Sequence, residues 1–180
     1  MSVSPATATD AFARTEADVM EIKHLPGGIL LESTAEGAYF ENSNRLFRPL
    51  FRYISRHDIA MTTPVEARME PGAMLFWVAP SEEGKVAGDE EGVRVIEQPP
   101  RTVGAIGGRG AYSERNFHRA EDALRAWLAE QEAWEIDGEA YGVFWHGPFT
   151  PWFRKQFEVH IPVRPAAGTD EVKVTDAPDA

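Results

Sequence analysis

The 180 residues contain no cysteine, which removes disulfides, thiolate metal sites and cysteine nucleophiles together. Positive charge is also scarce: 18 Lys and Arg stand against 29 Asp and Glu, a formal charge of −11. That balance argues against nucleic acid as the main partner, because phosphate binding needs a basic surface that releases counterions. No window approaches 18 uninterrupted apolar residues, and the first residues, MSVSPATATDAFARTEAD, lack both a basic n-region and an apolar h-region. The expectation is a soluble, unexported, cytoplasmic protein that does not engage a membrane. None of the five histidines falls in an HxH or HExxH spacing, so a multi-histidine zinc site is not expected. There is no GxSxG elbow, no P-loop and no carboxylate pair that spacing alone can place, and no enzyme is expected. GAIGGRG, residues 104–110, misses the GxGxxG spacing of a dinucleotide loop.

What is present is a core. Hydrophobic residues make up 43% of the chain and aromatics 11%, enough for one domain of this length. The chain also reads as one pattern written twice. Sliding it along itself places Ile22 on Ile96 and Pro26 on Pro100, then Tyr39 on Tyr112, Phe51 on Leu124 and Ile54 on Trp127. Each half predicts strand, turn, strand, helix and two further strands. The fold class expected is α+β: two β-β-α-β-β repeats forming a distorted antiparallel β-barrel with both helices packed outside. Residues 18–80 would be repeat one, 81–92 a polar linker and 93–164 repeat two; residues 1–17 and 165–180 are expected to be disordered tails.

Residues 40–65, FENSNRLFRPLFRYISRHDIAMTTPV, carry the most information. Phe40, Ser43, Phe47, Leu50, Phe51 and Ile54 recur at helical steps and are predicted to pack inward. Arg45, Arg48, Arg52 and Arg56 follow the same period, a cationic stripe beside the apolar one, unless they pair with Glu32, Glu36 or Glu41. Pro49 is predicted to kink or restart the helix. Residues 145–153, WHGPFTPWF, concentrate Trp145, Phe149, Trp152 and Phe153 in a loop followed by Arg154 and Lys155: either a buried plug or an apolar ligand mouth. In the last strand Phe157, Val159, Ile161 and Val163 point one way and Glu158 and His160 the other, so Glu158 is the candidate charge on the open face of the sheet.

LFRPLFRYI followed by IAMTTPVEARM resembles the SOUL haem-binding family, whose members show an LFxYI helix end and a downstream MTxPV strand. RTVGAIGGRGAYSE and GPFTPWFRKQFEVHIPV fall in the same family order, so the resemblance spans residues 18–164. It implies the barrel fold above and a non-covalent haem or other tetrapyrrole as ligand, held in a groove between the first helix and the 145–153 loop. Arginine forks suit propionates, so Arg45, Arg48, Arg52, Arg154 and Lys155 are the candidate clamps, and Trp145, Phe149 and Trp152 the candidate apolar wall. His57 and His146 are the candidate iron ligands; His24 and His118 read as surface residues. One alternative is an effector-binding module for cationic or amphipathic aromatic molecules, because the SOUL fold looks similar to effector domains of bacterial multidrug regulators in which an acidic residue attracts such ligands; Glu158 would serve here, without a DNA-binding helix-turn-helix. The other alternative is a protein-interaction scaffold with no small ligand.

Overall fold

The computed structural model describes residues 10–147 and 149–168. Nine strands form one curled antiparallel sheet: β1 (Met20–Leu25), β2 (Gly28–Thr34), β3 (Val65–Arg68), β4 (Ala73–Trp77), β5 (Arg94–Gln98), β6 (Arg101–Arg109), β7 (Trp134–Ile136), β8 (Tyr141–Phe144) and β9 (Gln156–Pro165). Eight of them run in the order β1-β6-β9-β8-β3-β4-β2-β5, and β7 adds to the end of β9. Exchanging β1, β2, β3 and β4 for β5, β6, β8 and β9 turns this order into its own reverse. β1 pairs with β6 and β2 with β5, so the first and second parts of the chain interlock. The expected barrel does not close. β1 and β5 stand at the two ends of the sheet order, leaving a half-barrel with one face open.

Two α-helices cover the other face: α1 (Tyr39–Arg56) packs on β2 and β4, and α2 (Glu114–Ala129) on β6, β9 and β7. Strand alternation builds the core between them. Phe157, Val159, Ile161 and Val163 of β9 join Ala67, Met74 and Phe76 and the buried Leu46, Leu50, Leu124 and Leu128 of the helices. The predicted face of α1 is turned. Tyr39, Leu46, Leu50, Tyr53 and Ile54 are buried, while Phe47 sits at the edge and Phe51 is 52% exposed. Pro49 neither ends nor restarts the helix, which runs on to Arg56 and stops where Asp58 adopts a left-handed φ of 52°. α2 starts at Ser113, whose Oγ accepts the Asn116 amide at 3.2 Å, an ordinary N-cap.

Residues 81–92 are less free than a linker. A 3-10 turn spans Pro80–Lys85, and Tyr53 Oη donates to the Gly88 carbonyl and accepts from the Ala87 amide. Residues 10–17, assigned above to a tail, lie across the sheet: the Ala11 amide donates to the Thr63 carbonyl, and Ala17 bridges to Gly107. Residues 1–9 and 169–180 lie outside the described part of the chain.

A Cβ built on Gly108 would stand 2.4 Å from the buried Phe157 ring. Gly108→Ala is therefore expected to destabilise the protein by about 1–3 kcal/mol through overpacking. Gly84→Ala, which meets nothing within 4 Å, is expected to leave the thermal midpoint unchanged. Equal midpoints for the two variants would contradict this packing.

Candidate functional site

The face of the sheet away from the helices carries buried charge. Register places Glu32 beside Leu75, Leu75 beside Glu66, Glu66 beside Val143 and Val143 beside Glu158, so three glutamates alternate with two apolar residues along one row across five strands. Successive glutamates stand about 10 Å apart, two strand spacings. Each is almost fully buried and each has a cation: Arg68 and Arg94 for Glu32 (2.7 and 3.7 Å), Arg101 for Glu66 (2.5 Å) and Lys23 for Glu158 (2.9 Å). Indole N–H groups complete two of them. Trp77 Nε1 donates to Glu66 at 3.1 Å and Trp145 Nε1 to Glu158 at 2.9 Å. An unpaired buried carboxylate would cost several kcal/mol, so these partners are a condition of the fold.

Glu158 also accepts the Thr15 amide at 2.5 Å and lies 3.4 Å from His160 Nε2. Burial pushes its carboxyl up, but His160, the Thr15 amide and the Lys23 ammonium outweigh this and hold it down at about 2. Burial keeps the His160 imidazole below its ordinary range, only partly offset by Glu158. With His160 neutral near pH 7, Thr15, Trp145 and Lys23 are the partners that matter there. Tyr141 Oη lies 3.2 Å from His160 Nδ1; a hydroxyl donating there leaves the ring proton on Nε2, facing Glu158 at a length too great for a full hydrogen bond. Burial also drives the Tyr141 phenol well above its ordinary value, so it stays a neutral donor.

The remaining candidates fall elsewhere. Trp145 is buried with Glu158 rather than opening a mouth. Phe149 (99% exposed), Trp152 and Phe153 project from the loop between β8 and β9; Arg154 lies over Phe153, and Lys155 over Tyr112 at 4.9 Å. Tyr112 stacks on Phe144 at 4.3 Å, and Phe144 touches Phe40, so an aromatic chain runs from the base of that loop to the first turn of α1. Arg45, Arg48 and Arg52 are exposed on α1 and have no carboxylate partner among the described residues. An open cleft of about 560 Å³ is lined by Phe40, Ser43, Arg45 and Arg48 among others. Beside the stripe Phe47 and Phe51 stack at 5.5 Å. Arg56 differs, being tied with His57 Nε2 to Glu90 (2.8 and 2.5 Å). Nε2 of His146 is buried and has no partner among the described residues. A larger surface cavity of about 640 Å³, beside Gly28 and Pro99, is lined by Glu83 and Glu97 and offers an anion no cation.

Glu66, Trp77, Arg101, Lys23 and Phe12 were not foreseen. Glu66 had a readable signal, a carboxylate inside an alternating strand, as Glu158 had; the pairing that puts both in one row is long-range and invisible to local pattern.

The family described as SOUL heme-binding protein matches residues 9–162, and the chain belongs to it. Among curated proteins no sequence matches. Of solved structures, EcmrR in its DNA complex superposes with a TM-score of 0.67 at 12% identity, over 82% of this chain and 58% of the EcmrR chain. A hydrolase from Listeria innocua gives 0.57 at 11% identity, over 83% and 94% of the two chains. SAV2435 bound to tetraphenylphosphonium gives 0.53 at 10%, over 81% and 94%. These likenesses establish a shared fold. No helix among the described residues is long and apolar enough to cross a membrane.

The site makes stability depend on pH. A His160 pKa lowered by folding means the unfolded chain takes up its proton first as pH falls below about 6.5, and a lowered Glu158 pKa repeats this below about 4.5. Both steps act in one direction. The thermal midpoint is expected to fall between pH 7 and 5, with His160→Gln flattening that limb while the steeper loss below pH 4.5 remains. A midpoint independent of pH from 7 to 5 in the unmodified protein would refute the assignment.

Proposed function

We propose that this protein binds haem or another tetrapyrrole non-covalently on the outer flank of α1, without catalysing a reaction on it. The observation that carries the reading is the pairing, on one helix, of a stacked and half-exposed Phe47–Phe51 plate with guanidinium groups that no carboxylate among the described residues neutralises. In a chain of charge −11, Arg56, Arg68, Arg94, Arg101, Arg125 and Arg164 all find acidic partners, whereas Arg45, Arg48 and Arg52 find none among the described residues. Arg115 and Arg119 of α2 likewise have no acidic partner among the described residues, but Phe117 beside them is buried. A tetrapyrrole presents an apolar plane with carboxylates on one edge, which matches phenylalanine rings flanked by planar donors. Phe149, Trp152, Arg154 and Lys155 would extend the same chemistry from the loop. For iron, His146 fits better than His57, because its Nε2 has no partner among the described residues while that of His57 is held by Glu90.

A second reading is favoured by one feature of the helix-free face: buried glutamates stand beside aromatic rings, Glu158 beside Trp145 and Glu66 beside Trp77, surroundings suited to a cationic aromatic molecule such as the tetraphenylphosphonium of SAV2435. Two facts weigh against it as the leading function. The carboxylates there are already paired, and residues 10–18 cover them. For either reading the partner is a small molecule, and the net charge of −11 argues against nucleic acid.

Haemin is expected to bind stoichiometrically with a shifted Soret band. The double variant Arg48→Ala, Arg52→Ala should weaken it by about 1.5–3 kcal/mol per charge-assisted hydrogen bond lost, and added salt should weaken the unmodified protein. Glu158→Gln should leave it unchanged. Protoporphyrin without iron should bind comparably, and His146→Ala should alter the haemin spectrum more than His57→Ala. Binding indifferent to both arginines and to salt would sink the proposal.

A further inference from the structure

Residues 10–18 do more than cap an edge. They run from Gly107 of β6, where the Asp18 amide donates to the Gly107 carbonyl, to Thr63, ahead of β3, so they cross β9 and β8. On the way they present three groups to the helix-free face. Phe12 inserts edge-on against Trp77 and Trp145, at 6.0 and 5.5 Å between ring centres, and tilts over His160. The Arg14 guanidinium lies 4.9 Å over the Trp145 ring, and the Thr15 amide donates to Glu158. An aromatic ring, a delocalised cation and an N–H aimed at a carboxylate are the features of an amphipathic aromatic cation. Between its two ends the segment is held mainly through side chains: the Thr15 amide donates to Glu158, Thr15 Oγ1 to Glu21 at 2.7 Å and Arg14 to Gln156, while Lys23 reaches back to the Ala13 carbonyl at 2.6 Å and lies 5.0 Å over the Phe12 ring. The sheet is shaped for it: a Cβ on Gly107 would stand 2.0 Å from the Glu16 carbonyl oxygen.

We propose that residues 10–18 are an intrasteric strap that fills a cleft between Trp77 and Trp145 as a tethered ligand mimic, and that a lipophilic aromatic cation enters the cleft only by displacing it. This rests on the second reading above and adds the gate to it. Strap release removes Phe12, the Arg14 charge and one Glu158 hydrogen bond together, so the vacated cleft loses a positive charge and regains an unsatisfied acceptor for the incoming cation. A ligand that must open a closed site binds more weakly by the open fraction; a strap open in about 1–10% of molecules would lower its affinity about 10- to 100-fold.

The test titrates the full chain with tetraphenylphosphonium, and with tetraphenylborate as the shape-matched anion, following tryptophan fluorescence. Phe12→Ala weakens the plug, and Gly107→Ala unseats the strap while keeping Phe12; thermal melts show which variants fold, and Phe12→Ala decides alone if Gly107→Ala does not. Both variants should bind the cation at least about tenfold more tightly than the unmodified chain, with little gain for the anion, and Glu158→Gln in the Phe12→Ala background should reverse the gain. In the unmodified chain, saturating cation should abolish hydrogen-exchange protection of the Thr15 amide. Equal cation affinity in all forms overturns the strap and leaves the cleft reading standing. Equal gains for cation and anion overturn the ligand class, and no cation binding by any form overturns both.

Discussion

The burial of Glu158 is the constraint on which much of the structure depends. A carboxylate with no solvent contact in the middle of a sheet must be compensated, and its compensation comes from three distant parts of the chain: Lys23 on β1, Trp145 just after β8 and Thr15 ahead of β1. β1 lies at the end of the sheet, yet Lys23 ties it to the ninth strand through Glu158. Glu66 repeats the arrangement, drawing Arg101 from β6 and Trp77 from β4. These charges act as register pins. A one-residue slip of β9 would turn Glu158 into the apolar core between sheet and helices and His160 with it, which no packing gain would offset.

The two faces of the sheet therefore differ in the kind of charge they leave available. On the helix-free face each buried carboxylate already has at least one cation, and an incoming ion must displace a partner that is already there. On the outside of α1, Arg45, Arg48 and Arg52 have no carboxylate partner among the described residues, and a carboxylate ligand would gain their attraction without breaking such a pair. Exposure sharpens this contrast: Phe51 is half open, while Phe12, Trp77 and Trp145 bury one another. On the two readings proposed, a ligand reaches the helix directly, whereas the cleft must open first.

Much of the fold was legible. Alternation in β9 gave both the core set and the opposite placing of Glu158 and His160, because a two-residue period survives any tertiary arrangement. The inward face of α1 was misjudged by a fraction of a turn, since the aromatic positions Phe47 and Phe51 outweighed Leu46 and Tyr53 in the pattern and only packing against β2 and β4 decides between them. The 145–153 aromatic cluster looked like one unit, but Trp145 turns inward to Glu158 and Trp152 outward, which composition cannot separate. The strap was hidden by its surroundings: Phe12 is a single aromatic in a stretch of Ala, Thr and Ser, and its ring partners Trp77, Trp145 and His160 lie more than 60 residues away.

The GAIGGRG segment shows how a local pattern takes its meaning from both sides of a sheet. It is neither a phosphate loop nor a simple turn; most of it is the middle and end of β6, thinned so that three separate neighbours can come close. A Cβ on Gly104 would meet Leu128 of α2 at 2.8 Å, one on Gly108 the Phe157 ring, and one on Gly107, facing the other way, the backbone of Glu16. Gly104 and Gly108 thus set how closely α2 and the core approach, while Gly107 sets how closely residues 10–18 approach from the opposite face. Because neighbouring residues of a strand serve opposite faces, the packing of the core and the seating of the strap can be altered separately, one glycine at a time.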